Sequence, residues 1–215
     1  MSYYLQSAQY ILEGCAVTIK LFFITLLLSL PLGFLGSLAK TSRFRLLRGL
    51  MDAYTSVVRG TPLLLQIFFV YYGLPILLPG FRMERFNAAA LTFVINYGAY
   101  FTEIFRGGIQ SIDRGQYEAS RVLGMNYAQT MIRIILPQTV KRVLPPVANE
   151  AITLVKDTAL IVVLGIGDIL RNSKEIVARD FTISPFFIAA LIYLLMNYLV
   201  VLFFRYLEKR YSVYE

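Results

Sequence analysis

Histidine is absent from the 215 residues and cysteine occurs once, as Cys15. His-based triads, most zinc sites and intrachain disulfides are therefore excluded, and no metal site is expected. The chemistry that remains lies in ionisable groups embedded in apolar runs: Glu103, Lys156 and Asp157. Such groups are costly in hydrocarbon and face a polar cavity or a partner. If the run around Glu103 is helical, Asn96, Tyr100, Glu103 and Gly107 fall on one stripe about 60° wide. That face offers an amide, a phenol, a carboxylate and a small residue, a wall suited to a small polar solute. Lys156 and Asp157 are adjacent and point about 100° apart, so each is expected to meet a neighbouring helix or a solute. A zwitterion needs donors and acceptors together in an apolar pocket. Glu103 and Asp157 suit its cationic groups, and Lys156 and Asn96 its carboxylate. The same residues also permit a structural reading, with Asn96 and Tyr100 as interhelical hydrogen-bond partners and Glu103 bridged to Lys156.

The elements that must position these groups follow from composition. Apolar residues make up 57% of the chain and charged residues only 16%, too much apolar surface for a soluble fold of this size to hide. The chain reads as an all-α integral membrane protein, in one domain over 1–215. Five stretches approach the ~20 apolar residues a helical span needs: Ala16 to Leu38, Pro62 to Leu78, Asn87 to Ile109, Ala148 to Gly165 and Pro185 to Phe204. An interfacial helix over Leu46 to Val58 is expected to precede the second. Pro31 and Gly33 predict a kink in the first span, and Lys20 is placed to snorkel outward. Residues 1 to 15 lack a basic n-region and a small-residue cleavage site, so the first span is expected to be retained.

With five spans, most Lys and Arg fall on one side: in the loop around Lys40 to Arg48, in the loop from Arg106 to Arg142, and in the tail from Arg205 to Arg210. The other side holds only Arg82, Arg85, Arg171, Lys174 and Arg179. The positive-inside rule then puts the N-terminus outside and the C-terminus inside. The net charge of +8 is explained by these loops, without nucleic acid.

The longest polar insert, 110–147, carries the clearest motif. Asp113 with Gln116 fits a capping box, Gly124 fits a left-handed stop, and Asn126 with Gln129 fits a second box. Two short helices around a glycine turn are predicted, the second running through Met131 to Leu136 and ending at Pro137. Glu118-Ala119-Ser120, three residues, Gly124, nine residues, then Ile134-Ile135-Leu136-Pro137 resembles the EAA loop of bacterial ABC importer permeases. Ser120 is a small-for-small departure from that family's second alanine. Arg59-Gly60-Thr61-Pro62-Leu63-Leu64, Glu103 to Ile109, and Leu144-Pro145-Pro146 followed by Lys156-Asp157-Thr158 are similar to the polar amino acid branch. Locally, Thr61 and Pro62 read as a helix start, and Arg59 reads equally as a lipid-headgroup anchor.

The resemblance implies a type I importer permease fold in the bacterial inner membrane. It implies a coupling helix docking Gln116, Glu118, Ala119, Ser120, Gly124 and Met125 on a separate ATP-binding subunit, which binds ATP and Mg. It further implies a second permease subunit, an extracytoplasmic solute-binding protein and an amino acid substrate. No G-x-x-x-x-G-K-[ST] occurs in the chain, so no catalytic residue and no cofactor are expected here. An unpaired carboxylate favours arginine, lysine or histidine as solute; one neutralised by Lys156 suits glutamine equally. From the residues alone, an ion-coupled carrier and a membrane scaffold remain as rival classes.

Overall fold

The structure, a computed structural model, describes residues 2–211. Among them every regular element is helical. Helix α1 (Ser2–Glu13) leads through Gly14 into α2 (Cys15–Lys40), and α3 (Arg45–Gly60) follows a short turn. Next come α4 (Leu63–Phe68), a π-helical turn (Phe69–Gly73) and α5 (Leu74–Leu77). The long α6 (Arg85–Gln110) precedes α7 (Arg114–Val122) and α8 (Tyr127–Thr130). A second π turn (Met131–Ile135) opens α9 (Leu136–Asp157), which tightens into a 3₁₀ helix (Thr158–Leu164). Then α10 (Ile169–Asp180) and α11 (Ser184–Tyr211) complete the chain.

Two stretches are long and apolar enough to cross a membrane alone, Tyr3–Lys40 and Ser184–Tyr211. The pair Arg45–Gly60 and Leu63–Leu77 makes a third when taken as one path bent by 105°. Helices α6 and α9 carry more polar residues because they form the centre of the bundle. Phe93, Tyr97 and Phe101 of α6 pack with Val147, Ala151 and Leu154 of α9 in the main core. Helix α11 instead shows Leu191, Leu194, Leu195 and Leu199 to its surroundings, as a lipid-facing helix does.

Helices α2 and α6 run parallel and very close. A Cβ on Gly33 would lie 2.4 Å from that of Phe101, and one on Gly36 would lie 2.4 Å from Oγ1 of Thr102. Small residues permit this approach. Lys20 lies over the Phe86 ring at 4.6 Å, near the start of α6. The helix is continuous through Pro31, and Gly33 permits the close approach of α6.

Other departures have local causes. Pro137 does not end the second short helix: the helical run continues from Tyr127 through the π turn (Met131–Ile135) into α9, whose first turn holds Pro137. The fourth path therefore starts at Leu136 and α9 ends at Asp157, with Gly165 (φ 68°) closing the 3₁₀ turn. The second short helix of the 110–147 insert is the entry to that path. Helices α1 and α10, which hydropathy does not mark, pack together at the end of the bundle opposite α7. Ile11, Ile169, Ile176 and Ala189 form their shared core. Tyr3 Oη donates to Asp180 at 2.9 Å and Tyr10 Oη to Glu175 at 2.6 Å.

Candidate functional site

A cavity of about 510 Å³ opens where α3 breaks into α4, against the middle of α6 and the end of α9. Its polar lining comes from three elements: Arg59 and Thr61 from the break, Asn96, Tyr97 and Tyr100 from α6, and Glu150, Thr153 and Asp157 from α9. On α9 the spacing i, i+3, i+7 keeps its three polar groups within about 60°. The Arg59 guanidinium lies over the Tyr100 ring, 5.2 Å from its centroid, a cation–π contact. Tyr97 donates its hydroxyl proton to Asp157 Oδ2 at 2.8 Å. Asn96 is 4% exposed and donates to Gln66 Oε1 at 3.0 Å. One cation therefore faces two carboxylates across a polar gap, beside aromatic faces. Such a site can receive a carboxylate and an ammonium on one small molecule, and a second cationic group beyond them.

Of the five residues the sequence marks for solute, the structure brings Asn96, Tyr100 and Asp157 to this cavity. Glu103 and Lys156 are not among its lining residues. Glu103 lies on the same stripe of α6 but is met there by Lys40 of α2 and by Arg106, whose Nη2 is 2.6 Å away. Lys40 also reaches Asp52 at 3.1 Å and Thr55 Oγ1 at 2.7 Å. Lys156 is exposed on the outside of α9, so in the alternative, structural reading of Glu103 the partner is Lys40 rather than Lys156. Helical arithmetic identifies a face of α6 but not the helix that covers each level of it. Glu150 and Arg59 join the site instead. The α9 stripe was available as a signal for Glu150. Arg59 stands in a motif the sequence singles out but reads equally as a headgroup anchor; the break after Gly60 places it at the cavity.

Helix α7 rests on the end of the bundle through Tyr117, which packs against Ile109, Ile112, Met131 and Ile135, and shows its other face outward. Asp113 caps it through a bond from Gly115 N at 2.6 Å, in place of the expected capping box with Gln116. The box between Asn126 and Gln129 is complete, with both bonds at 2.9 Å. Gly124 adopts φ 73°, and Met125 N closes back on Ser120 O at 3.0 Å. Gln116, Glu118, Ala119 and Gly124 are exposed, Met125 is half-buried, and Ser120 is buried with its hydroxyl on Gln116 O. Val122 is 88% exposed and Leu123 78%, an apolar pair at the tip of a polar knob. Among the described residues no group of His, Cys, Asp and Glu is arranged to hold a metal ion.

Comparison with known proteins gives a consistent picture. A family profile described as "Binding-protein-dependent transport system inner membrane component" matches residues 19–213. The arginine transport system permease protein ArtQ of Bacillus subtilis is 43% identical over 201 residues, 93% of this chain and 90% of that protein. The glutamine transport system permease protein GlnP of Escherichia coli K12 is 34% identical over 204 residues, 94% of this chain and 93% of that one. Among solved structures, a crystal structure of an amino acid ABC transporter with histidines matches with a TM-score of 0.89 at 33% identity, covering 97% of both chains. The inward-facing MetNI methionine transporter matches with a TM-score of 0.74 at 17% identity over 94% of each chain, a likeness of fold.

Proposed function

Since this chain belongs to the family of binding-protein-dependent transport system inner membrane components, we propose that it carries an α-amino acid across the inner membrane through the cavity between Arg59 and Asp157. Its named relatives are permease proteins, not enzymes. Energy comes from a separate ATPase that binds ATP and Mg and grips α7, with Val122 and Leu123 as the apolar contact. The basic loops lie inside, with the N-terminus outside. A second permease subunit completes the path, and an extracytoplasmic binding protein delivers solute. ATP-driven closure of the ATPase pair moves the α7 knobs together and rocks the spans, turning the cavity from one side to the other.

The observation that carries this reading is the charge pattern of the cavity. Arg59 takes the solute carboxylate through a forked pair of hydrogen bonds. Asp157, oriented by Tyr97, takes the α-ammonium. Glu150 is then left for a cationic side chain, which favours arginine, lysine or histidine. Glutamine is the second reading, favoured by the relatives named for it. The test is uptake in proteoliposomes holding the permease, its ATPase and its binding protein, with L-arginine and L-glutamine in competition. ATP-dependent accumulation with arginine preferred is expected. Accumulation driven by an ion gradient without the ATPase, or no uptake at all, would remove the proposal.

A further inference from the structure

The break between α3 and α4 opens onto the cavity, with Arg59, Gly60, Thr61 and Pro62 exposed there, and it ends a helix whose last carbonyls need new donors. In a continuous helix Val58 C=O would accept from the N–H of residue 62, but residue 62 is Pro62 and has none. Val57 C=O would accept from Thr61, which is extended (φ −117°, ψ 144°). Two side chains replace the missing donors. Thr61 Oγ1 donates to Val57 O at 2.8 Å. Gln66, one turn into the next helix, brings Nε2 to 2.8 Å from Val58 O, 3.2 Å from Thr61 O and 2.8 Å from Thr61 Oγ1. Its Oε1 meanwhile accepts from Asn96 Nδ2 at 3.0 Å. One amide thus ties the end of α3, the start of α4 and the middle of α6. Arg59 and Asn96, at two corners of that tie, both line the cavity, whereas Gln66 does not.

We infer that Gln66 is a positioning residue for solute recognition: it pins the 105° break so that Arg59 and Asn96 face the cavity together. This rests on the reading of the cavity as the amino acid site. Without the amide, Val58 and Thr61 carbonyls lose their donor, the break relaxes, and Arg59 is no longer held across from Asp157. Geometry at the ligand then suffers, while the ATPase contact at α7 is untouched.

The experiment measures L-arginine binding and ATP-driven L-arginine uptake in the intact permease–ATPase complex for Gln66→Leu, Arg59→Ala and the double variant. Gln66→Leu should weaken apparent affinity about tenfold, the equivalent of one or two lost hydrogen bonds, with maximal uptake kept within about twofold. In the Arg59→Ala background the same change should add little, because Gln66 acts through Arg59. Gln66→Glu, whose carboxylate would face the Val58 and Thr61 carbonyl oxygens with no proton to give, should lose at least as much affinity as Gln66→Leu. Full additivity with Arg59→Ala, or a Gln66→Leu complex with unchanged affinity, overturns the positioning role. Failure of both Gln66 variants to assemble makes Gln66 a folding residue and overturns it too. If Arg59→Ala itself leaves affinity intact, the cavity reading fails, and this inference falls with it.

Discussion

Asp157 and Glu150 sit two turns apart on α9 and line the same cavity, yet their settings differ. Asp157 is held by Tyr97 at 2.8 Å, whereas Glu150 has no hydrogen bond among the described contacts and meets the charge of Arg59, which a solute carboxylate would share. Glu150→Gln is expected to weaken L-arginine uptake about tenfold while changing L-glutamine uptake about twofold or less. Competition assays with the two labelled amino acids decide it, and equal losses would take Glu150 out of selectivity. Glu103 behaves differently because its carboxylate is committed to Lys40 and Arg106. Removing it takes a carboxylate from Arg106 and leaves Lys40 to Asp52 alone, with a cost on the order of 2 kcal/mol between the exposed and buried limits for ion pairs. Glu103→Gln should therefore lower thermal stability of the purified complex and reduce uptake of arginine and glutamine in equal proportion. A loss confined to arginine would return Glu103 to the solute.

At the scale of elements, α7 shows how a short helix is held by a small apolar cluster under Tyr117 and by its end caps. Asp113 at one end, Gly124 at the other, and the Ser120 hydroxyl on Gln116 O hold its shape. Val122 and Leu123 are left outward. Burying Val122 and Leu123 against a partner contributes about 1.5–3 kcal/mol each. Val122→Asp with Leu123→Asp should abolish co-purification of the ATPase while the permease keeps its helical circular dichroism. Retained co-purification would place the docking surface elsewhere. The break after Gly60 makes the complementary point, since it brings a helix end and Arg59 to the cavity.

For the whole molecule, α7 and the α1–α10 pair lie at opposite ends, so sidedness can be read from two exposed positions. In a Cys15→Ser background, Lys174→Cys should react with a membrane-impermeant thiol reagent in intact cells, and Arg121→Cys only after lysis. The reverse pattern would invert the topology argued from the basic loops. The membrane class, the second path with its helix break, the capped knob and its turn at Gly124 were all legible in the residue order, because hydropathy, Pro62, Gly124 and the Asn126–Gln129 box act locally. Glu103 and Asp157 were legible as buried charges, but their partners were not. Lys40 lies sixty-three positions from Glu103 and reaches it only because Gly33 and Gly36 let α2 settle against α6. Arg59 looked like a surface anchor until the break, tied by Gln66 to Asn96, turned it into the cavity. Chain-local hydrogen bonding and apolar run length thus determined which helices form; which charge meets which was decided by helix contacts between residues far apart in the chain.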